Sequence, residues 1–194
     1  VIAEQAIERT GIRRGLCLDL GGGPGMLGIC VAKASELRVV VVDPLAECIE
    51  LARENIAEHG LPHRVGAQVG QAERLGFADA SVDLVVSRGS IYFWEDQRQG
   101  LREIFRVLRP GGWAYVGGGF GTQELRDEIL ALKADDAEWN KGRRERGSKH
   151  PPEHFQSLLA ELALPGRVEN SESGMWIVMR KPEAVLATGG ASHG

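Results

Sequence analysis

The run Leu18-Asp19-Leu20-Gly21-Gly22-Gly23-Pro24-Gly25 constrains this chain more than any other feature. An apolar stretch at 16–20 reads as a buried strand, and a helix-period segment begins at 26. Between them lie glycines that let the backbone turn sharply and approach a ligand. The helix that follows offers unpaired N–H groups and the positive end of its dipole. The rest of the chain repeats this strand–turn–helix alternation. A leading helix at 2–10 precedes it. Further strands read at 38–42, 64–69, 82–87 and 113–117, with helices at 26–34, 45–58, 97–108, 123–133 and 152–162. The helix at 97–108 is stopped by Arg109-Pro110-Gly111-Gly112. Segments 167–169 and 175–180 read as a closing hairpin. Such alternation predicts an α/β fold: a doubly wound, mostly parallel sheet with helices on both faces. Ligands of such sheets sit beyond the carboxyl ends of the strands, where the strand order reverses.

Composition narrows the class. Hydrophobic residues are 43% and charged residues 26% of 194, enough to bury a core and too apolar for a largely disordered chain. No apolar run approaches the roughly 20 residues that span a bilayer, so no membrane partner is expected. The formal charge of −4 counts against a nucleic-acid partner. Cys17, Cys30 and Cys48 form no CxxC pair and have apolar neighbours, so they read as reduced core thiols of a cytoplasmic protein without a secretory signal. Residues 1–182 read as one domain, with 122–150 a small helical cap at the active-site edge and 183–194 a disordered tail of small residues.

The glycine loop admits two nucleotide readings. Gly23-Pro24-Gly25-Met26-Leu27-Gly28 satisfies G-x-G-x-x-G, which supports an NAD(P)-binding oxidoreductase. Three details oppose it. Asp19 sits two residues before Gly21, Pro24 lacks the N–H that a pyrophosphate cradle uses, and Gly21 and Gly22 lie ahead of the pattern. An acid at this strand end suits a cationic ligand group. Asp43 closes the second strand, where an acid can take both hydroxyls of a ribose, form an Asp-Pro turn with Pro44, or cap the helix near Leu45.

Several motifs together carry a resemblance. Leu18–Gly25 resembles the first motif of class I S-adenosylmethionine-dependent methyltransferases, and Val39-Val40-Val41-Val42-Asp43 their second. Gly70-Gln71-Ala72-Glu73-Arg74-Leu75-Gly76-Phe77 resembles their stretch after the third strand, and Arg106-Val107-Leu108-Arg109-Pro110-Gly111-Gly112 their turn before the fifth. The strings Ser87-Arg88-Gly89-Ser90-Ile91-Tyr92-Phe93-Trp94-Glu95-Asp96 and Gly117–Gly121 are similar to a subgroup of small prokaryotic members. The resemblance implies a seven-stranded sheet with a reversed last strand, S-adenosyl-L-methionine as cofactor and S-adenosyl-L-homocysteine as product. It implies a cofactor site of Asp19, Gly21, Gly23 and Gly25 around the amino-acid end, Asp43 with Pro44 at the ribose, Gln71, Ala72 and Glu73 at the adenine, and Ser87 nearby. The family usually carries Asp where Gln71 stands; a Gln carbonyl accepts the same bond without charge assistance.

Methyl transfer from a sulfonium asks the protein mainly to place the nucleophile and exclude water. Sequences of this kind therefore declare the cofactor more than the acceptor. The fourth strand ends at Ser87-Arg88-Gly89-Ser90, which is neither an Asn-Pro-Pro-Tyr-type nor a Pro-Cys motif, so a small-molecule acceptor is expected. Arg88 can grip an acidic group of that acceptor or pair with an acid such as Asp96. Tyr92, Phe93 and Trp94 can wall the pocket, with Phe93 the one expected to pack instead at the start of the next helix. The basic stretch Lys141, Arg143, Arg144, Arg146, Lys149 and His150 is either a lid that attracts an acidic substrate or a solvated loop. Arg88, Tyr92 and His150 are the candidate substrate-positioning residues. No metal site is expected, because His150 and His154 lack a third ligand. A cofactor-binding protein without turnover is the remaining alternative, since no indispensable base is evident.

Overall fold

The computed structural model describes residues 1–183; the tail expected at 183–194 otherwise lies outside the described residues. Strands β1 (Leu16–Leu20), β2 (Arg38–Asp43), β3 (Val65–Val69), β4 (Val82–Arg88), β5 (Leu108–Gly119), β6 (Gly166–Ser171) and β7 (Gly174–Arg180) form one sheet. Their order is β3-β2-β1-β4-β5-β7-β6. β7 runs antiparallel to both neighbours and the other pairings are parallel, as the expected closing hairpin requires.

Side-chain alternation along the strands builds two cores. Leu18, Leu20, Val85, Ala114, Val116 and Ile177 face one side. There they meet α4 (Gln97–Val107) and α7 (Pro152–Glu161) through Leu101, Ile104, Phe155 and Leu159. Cys17, Val39, Val41, Leu84, Val86 and Trp176 face the other. That side is covered by α1 (Ile2–Thr10), α2 (Met26–Ala34) and α3 (Ala46–Glu58) through Ala6, Ile29 and Ala52. Strand and helix periods of 2 and 3.6 thus agree along most of the chain. Between β5 and β6 come α5 (Gln123–Leu132) and α6 (Ala137–Lys149), which bury no residue. Among the described residues no helix is long and apolar enough to cross a membrane.

The structure departs from expectation in two places. The Arg109–Gly112 turn lies inside β5 as a bulge: Val82 pairs with Leu108, and Leu84 already pairs with Trp113. Gly111 takes φ 78° there, which lets the loop fold out without breaking the strand. Of the three thiols only Cys17 is in the core; Cys30 is exposed and Cys48 half-buried, since both lie on the outer faces of short helices. The basic stretch at 141–149 is helical, as a helical cap requires and a solvated loop does not. Asp136 caps α6 by accepting from the Trp139 amide at 3.0 Å, although the segment has no apolar stripe.

The connection from β3 to β4, which forms one wall of the site, is held from α4. Arg106 donates to the carbonyls of Leu75 and Phe77 (both 2.9 Å) and to Glu103 (2.7 and 2.8 Å). Glu103 in turn accepts from the Leu75 amide at 2.8 Å. The Arg106 guanidinium holds the Glu103 carboxyl below its ordinary value, chiefly through these bonds. Arg106→Met is expected to lower unfolding free energy by about 1–3 kcal/mol, from the loss of charge-assisted bonds to main-chain carbonyls. Equilibrium urea unfolding measures this, and an unchanged midpoint would refute the tether.

Candidate functional site

A cavity of about 490 Å³ opens at the carboxyl ends of β1, β2 and β4, where the strand order reverses. Leu20 and Gly21, Val42 to Leu45, Gly70 to Glu73, Arg88 to Ser90 and Phe93 to Glu95 line it. Of the residues assigned to a cofactor from sequence, Gly21, Asp43, Pro44, Gln71, Ala72 and Glu73 are in this wall. Gly23, Gly25, Asp19 and Ser87 stand outside it.

Two carboxylates hold the loop and the first turn of α2 behind it. Gly21, Gly23 and Gly25 all take positive φ (60°, 51° and 80°), a region closed to most side chains. Asp43 accepts from the Gly23 amide through Oδ2 (2.9 Å) and from the Leu45 amide through Oδ1 (3.0 Å). It therefore ties the loop and caps the entry to α3 while facing the cavity. Asp19 follows from the strand period: Leu18 and Leu20 point to one core, so Asp19 points to the other, beneath the loop. It is 1% exposed. Its Oδ2 accepts from the Gly28 amide at 2.8 Å, and its buried Oδ1 has no hydrogen-bond partner. Burial pushes this carboxyl up to about 7; the Gly28 amide opposes the rise and the charge of Asp43 adds to it.

The loop amides consequently point inward. Gly21 and Gly22 donate to the Val42 carbonyl (2.7 and 3.3 Å), Gly25 to that of Gly22 (2.9 Å), and Gly23 and Gly28 to the two aspartates. Pro24 has no N–H. A phosphate would meet few free donors and two acids. A cationic group would meet the Asp43 carboxylate at the cavity wall, with the buried Asp19 carboxyl beneath the loop, so the loop fits a ligand whose end is positive rather than a pyrophosphate.

Ser90, which sequence reading did not single out, joins the strands at this point. It donates to the Leu20 carbonyl (3.0 Å) and accepts from the Trp94 indole (3.1 Å). Its hydroxyl hydrogen is thus committed, and buried Ser87 donates to it at 2.6 Å. A Cβ on Gly21 would collide with Ser90. Its only sequence signal was a small residue just past a strand end.

A second, more open cavity of about 960 Å³ adjoins the first at Arg88, Gly89 and Phe93. Tyr92, Gly118, Phe120, Trp139, Arg126, Arg143 and Arg146 are in its wall. Arg88 donates through Nε to the Gly119 carbonyl (3.0 Å) instead of pairing with Asp96. Asp96 caps α4 by accepting from the Gln99 amide at 3.0 Å. Phe93, expected to pack against a helix, is 69% exposed and lines both cavities. Trp94 is the ring that packs, against Gly100, although it also reaches the first cavity. His150 lines neither cavity. It lies behind Tyr92 at 6.0 Å between ring centres. Gln97 donates to the Ile91 carbonyl (2.8 Å) and to His150 Nδ1 (3.3 Å), and accepts from His154 Nε2 (2.7 Å). This requires neutral His150, and burial, followed by His154 and Lys149, lowers its pKa accordingly. His59 and His63 are exposed, away from the site.

Known proteins resemble this chain in sequence and fold. The family described as "Methyltransferase domain" matches residues 18–116. A solved structure from Methanococcus maripaludis, provisionally assigned as an S-adenosyl-L-methionine-dependent methyltransferase, is 38% identical with a TM-score of 0.89, over 95% of this chain and 86% of that one. The 2-methyl-6-phytyl-1,4-hydroquinone methyltransferase 2 of Oryza sativa subsp. japonica is 40% identical over 50% of this chain and 27% of its own length. A ubiquinone/menaquinone biosynthesis C-methyltransferase of Hydrogenovibrio crunogenus is 36% identical over 57% of this chain and 45% of its own length. The chain thus spans less than half the length of these curated relatives.

The raised carboxyl of Asp19 has a stability consequence of definite sign. Between about 4, where an unfolded aspartate ionises, and about 7, where the buried one does, only the unfolded state has released its proton. The ligand-free protein is therefore expected to lose stability relative to Asp19→Asn as pH rises through this window, by a few kcal/mol at most, and to level off above it. Chemical unfolding of both proteins from pH 4 to 8 reads the difference. A pH-independent gap would refute the buried, proton-holding carboxyl.

Proposed function

The chain belongs to the class I S-adenosylmethionine-dependent methyltransferase family, and we propose that it moves the methyl group of this cofactor onto a small molecule bearing an acidic group. The observation that carries the reading is the inward-turned glycine loop over an orphaned carboxylate oxygen, which favours a cationic adenosyl ligand over a dinucleotide. Asp43 would accept from the ribose hydroxyls with lone pairs that its two amide bonds leave free. The Ala72 amide and Gln71 would meet the adenine between Pro44, Leu45 and Phe93. Asp19, through its loop, would set the amino-acid end with Gly21, Gly23 and Gly25, and Ser87 would hold the floor through Ser90. When bound, S-adenosylmethionine supplies a methyl carbon already activated by a positive sulfur.

The protein's own contribution is then positional. Arg88, fixed through Nε by the Gly119 carbonyl, keeps its terminal nitrogens for an acidic group of the acceptor. The Tyr92 hydroxyl stays protonated, because burial raises its pKa and Arg146 only partly offsets this, so it orients an acceptor as a donor rather than a base. His150 holds the Tyr92 ring from behind. The described wall of the second cavity contains no histidine, lysine, cysteine or aspartate, and its carboxylate Glu172 lies 3.2 Å from Arg126. The acceptor must accordingly arrive as a competent nucleophile, such as a neutral amine or an anion, which these residues would orient and shield from water.

Asp43→Ala is expected to weaken S-adenosylhomocysteine binding about 10–100-fold, from charge-assisted ribose bonds and the loop amide it holds. Arg88→Ala is expected to leave that affinity unchanged and to slow acceptor-dependent release of S-adenosylhomocysteine from S-adenosylmethionine. Isothermal titration and a product assay read the two effects. Unchanged affinity in Asp43→Ala would remove the ribose role, and lost cofactor affinity in Arg88→Ala would make Arg88 part of the cofactor site.

A further inference from the structure

The second cavity has an excess of positive charge that the protein does not neutralise. Its wall contains Arg88, Arg126, Arg143 and Arg146 against the single carboxylate Glu172, which Arg126 already contacts. Arg143 and Arg146 have no carboxylate partner among the described residues. They stand one turn apart on α6, on the face that looks into the cavity, whereas Lys141, Arg144 and Lys149 on the same helix are exposed. A merely solvated basic helix would not sort its arginines in this way.

Each inward guanidinium lies over a ring. Arg146 is 5.5 Å from the centre of Phe93, and Arg143 is 5.8 Å from that of Trp139. Rings stabilise the charge but accept no hydrogen bond in the guanidinium plane. The Arg143 Nε is buried and has no acceptor at all. A buried donor left in this state is destabilising, and the group that best completes a guanidinium edge is a carboxylate or phosphate meeting two N–H groups at once. Tyr92, Phe93, Phe120, Trp139 and Met175 supply flat apolar walls next to these donors. α6 itself buries no residue, so little apolar packing fastens it to the body.

We propose that the second cavity binds a ring-bearing small molecule through an oxyanionic group gripped by Arg143 and Arg146, and that this anion fastens α6 over the site. The proposal rests on the first cavity being the cofactor site. It adds to Arg88 a second anion contact, on the cap, that selects the acceptor.

The test uses protein saturated with S-adenosylhomocysteine and titrated with 1-naphthoate, phenyl phosphate and the neutral 1-naphthamide. At least one anion is expected to bind about 10-fold or more tightly than the amide. Arg143→Met and Arg146→Met are each expected to reduce that preference several-fold, with S-adenosylhomocysteine affinity unchanged, while Arg144→Met, on the exposed side, leaves it intact. Hydrogen exchange across 137–149 should slow when the anion binds. The proposal falls if neither anion outbinds the amide, if the preference survives both inward substitutions, or if exchange in α6 does not respond. Failure of S-adenosylhomocysteine itself to bind, seen before any probe is added, removes the cofactor reading and this proposal with it.

Discussion

Two carboxylates at the carboxyl ends of neighbouring parallel strands set the shape of everything above them. Asp43 on β2 takes the Gly23 amide of the glycine loop at 2.9 Å, and Asp19 on β1 takes the Gly28 amide in the first turn of α2, at 2.8 Å, and so holds the helix that the loop leads into. These bonds turn the loop's donors toward the sheet and leave the space above the loop to a ligand. A dinucleotide loop turns its amides outward to phosphates. This loop is committed inward and rests on negative charge, which is the electrostatic opposite. The expense is a buried carboxyl with one unpartnered oxygen directly beneath the loop.

The same end of the sheet organises the rest of the site. The Ser90 hydroxyl ties the end of β1 to the turn after β4, and the Trp94 indole donates to it. The strands on either side of the reversal are thereby locked, and the chain leaving β4 passes between the two cavities at Arg88, Gly89 and Phe93. One cavity sets the carboxylates Asp43, Glu73 and Glu95 among apolar walls. The other is aromatic and arginine-rich. A cationic methyl donor and an anionic acceptor would face each other across this short segment.

Much of this was legible in the sequence because two periodicities rarely conflict here. Strands of alternating or all-apolar residues and amphipathic helices declare themselves, so element boundaries fall within a residue or two of the observed ones, except at the start of β5. There, Leu108 looked like a helix end and Arg109–Gly112 like a plain turn, because a bulge is a property of pairing with β4 and not of local sequence. α6 was illegible for a different reason: its fold comes from the Asp136 cap and not from an apolar stripe. Arg143 could not be told from Arg144 without the phase of that helix, nor Phe93 from Trp94 without knowing which ring Gly100 admits. Cys30 misled because an apolar neighbourhood in sequence included the outer side of α2. Asp43 and Ala72, singled out in the sequence, line the first cavity and Asp19 lies beneath the glycine loop, but the inward direction of the loop amides emerged only from geometry.

The most direct measurement is thermal unfolding of the chain with S-adenosylhomocysteine, S-adenosylmethionine, NAD or NADP, each near millimolar. A ligand present at about 100 times its dissociation constant stabilises the folded state by roughly 2.7 kcal/mol, a readily visible shift. An inward-committed loop over two aspartates predicts a higher midpoint with the two adenosyl ligands and none with the dinucleotides. A shift with NAD or NADP and not with the adenosyl ligands would contradict it.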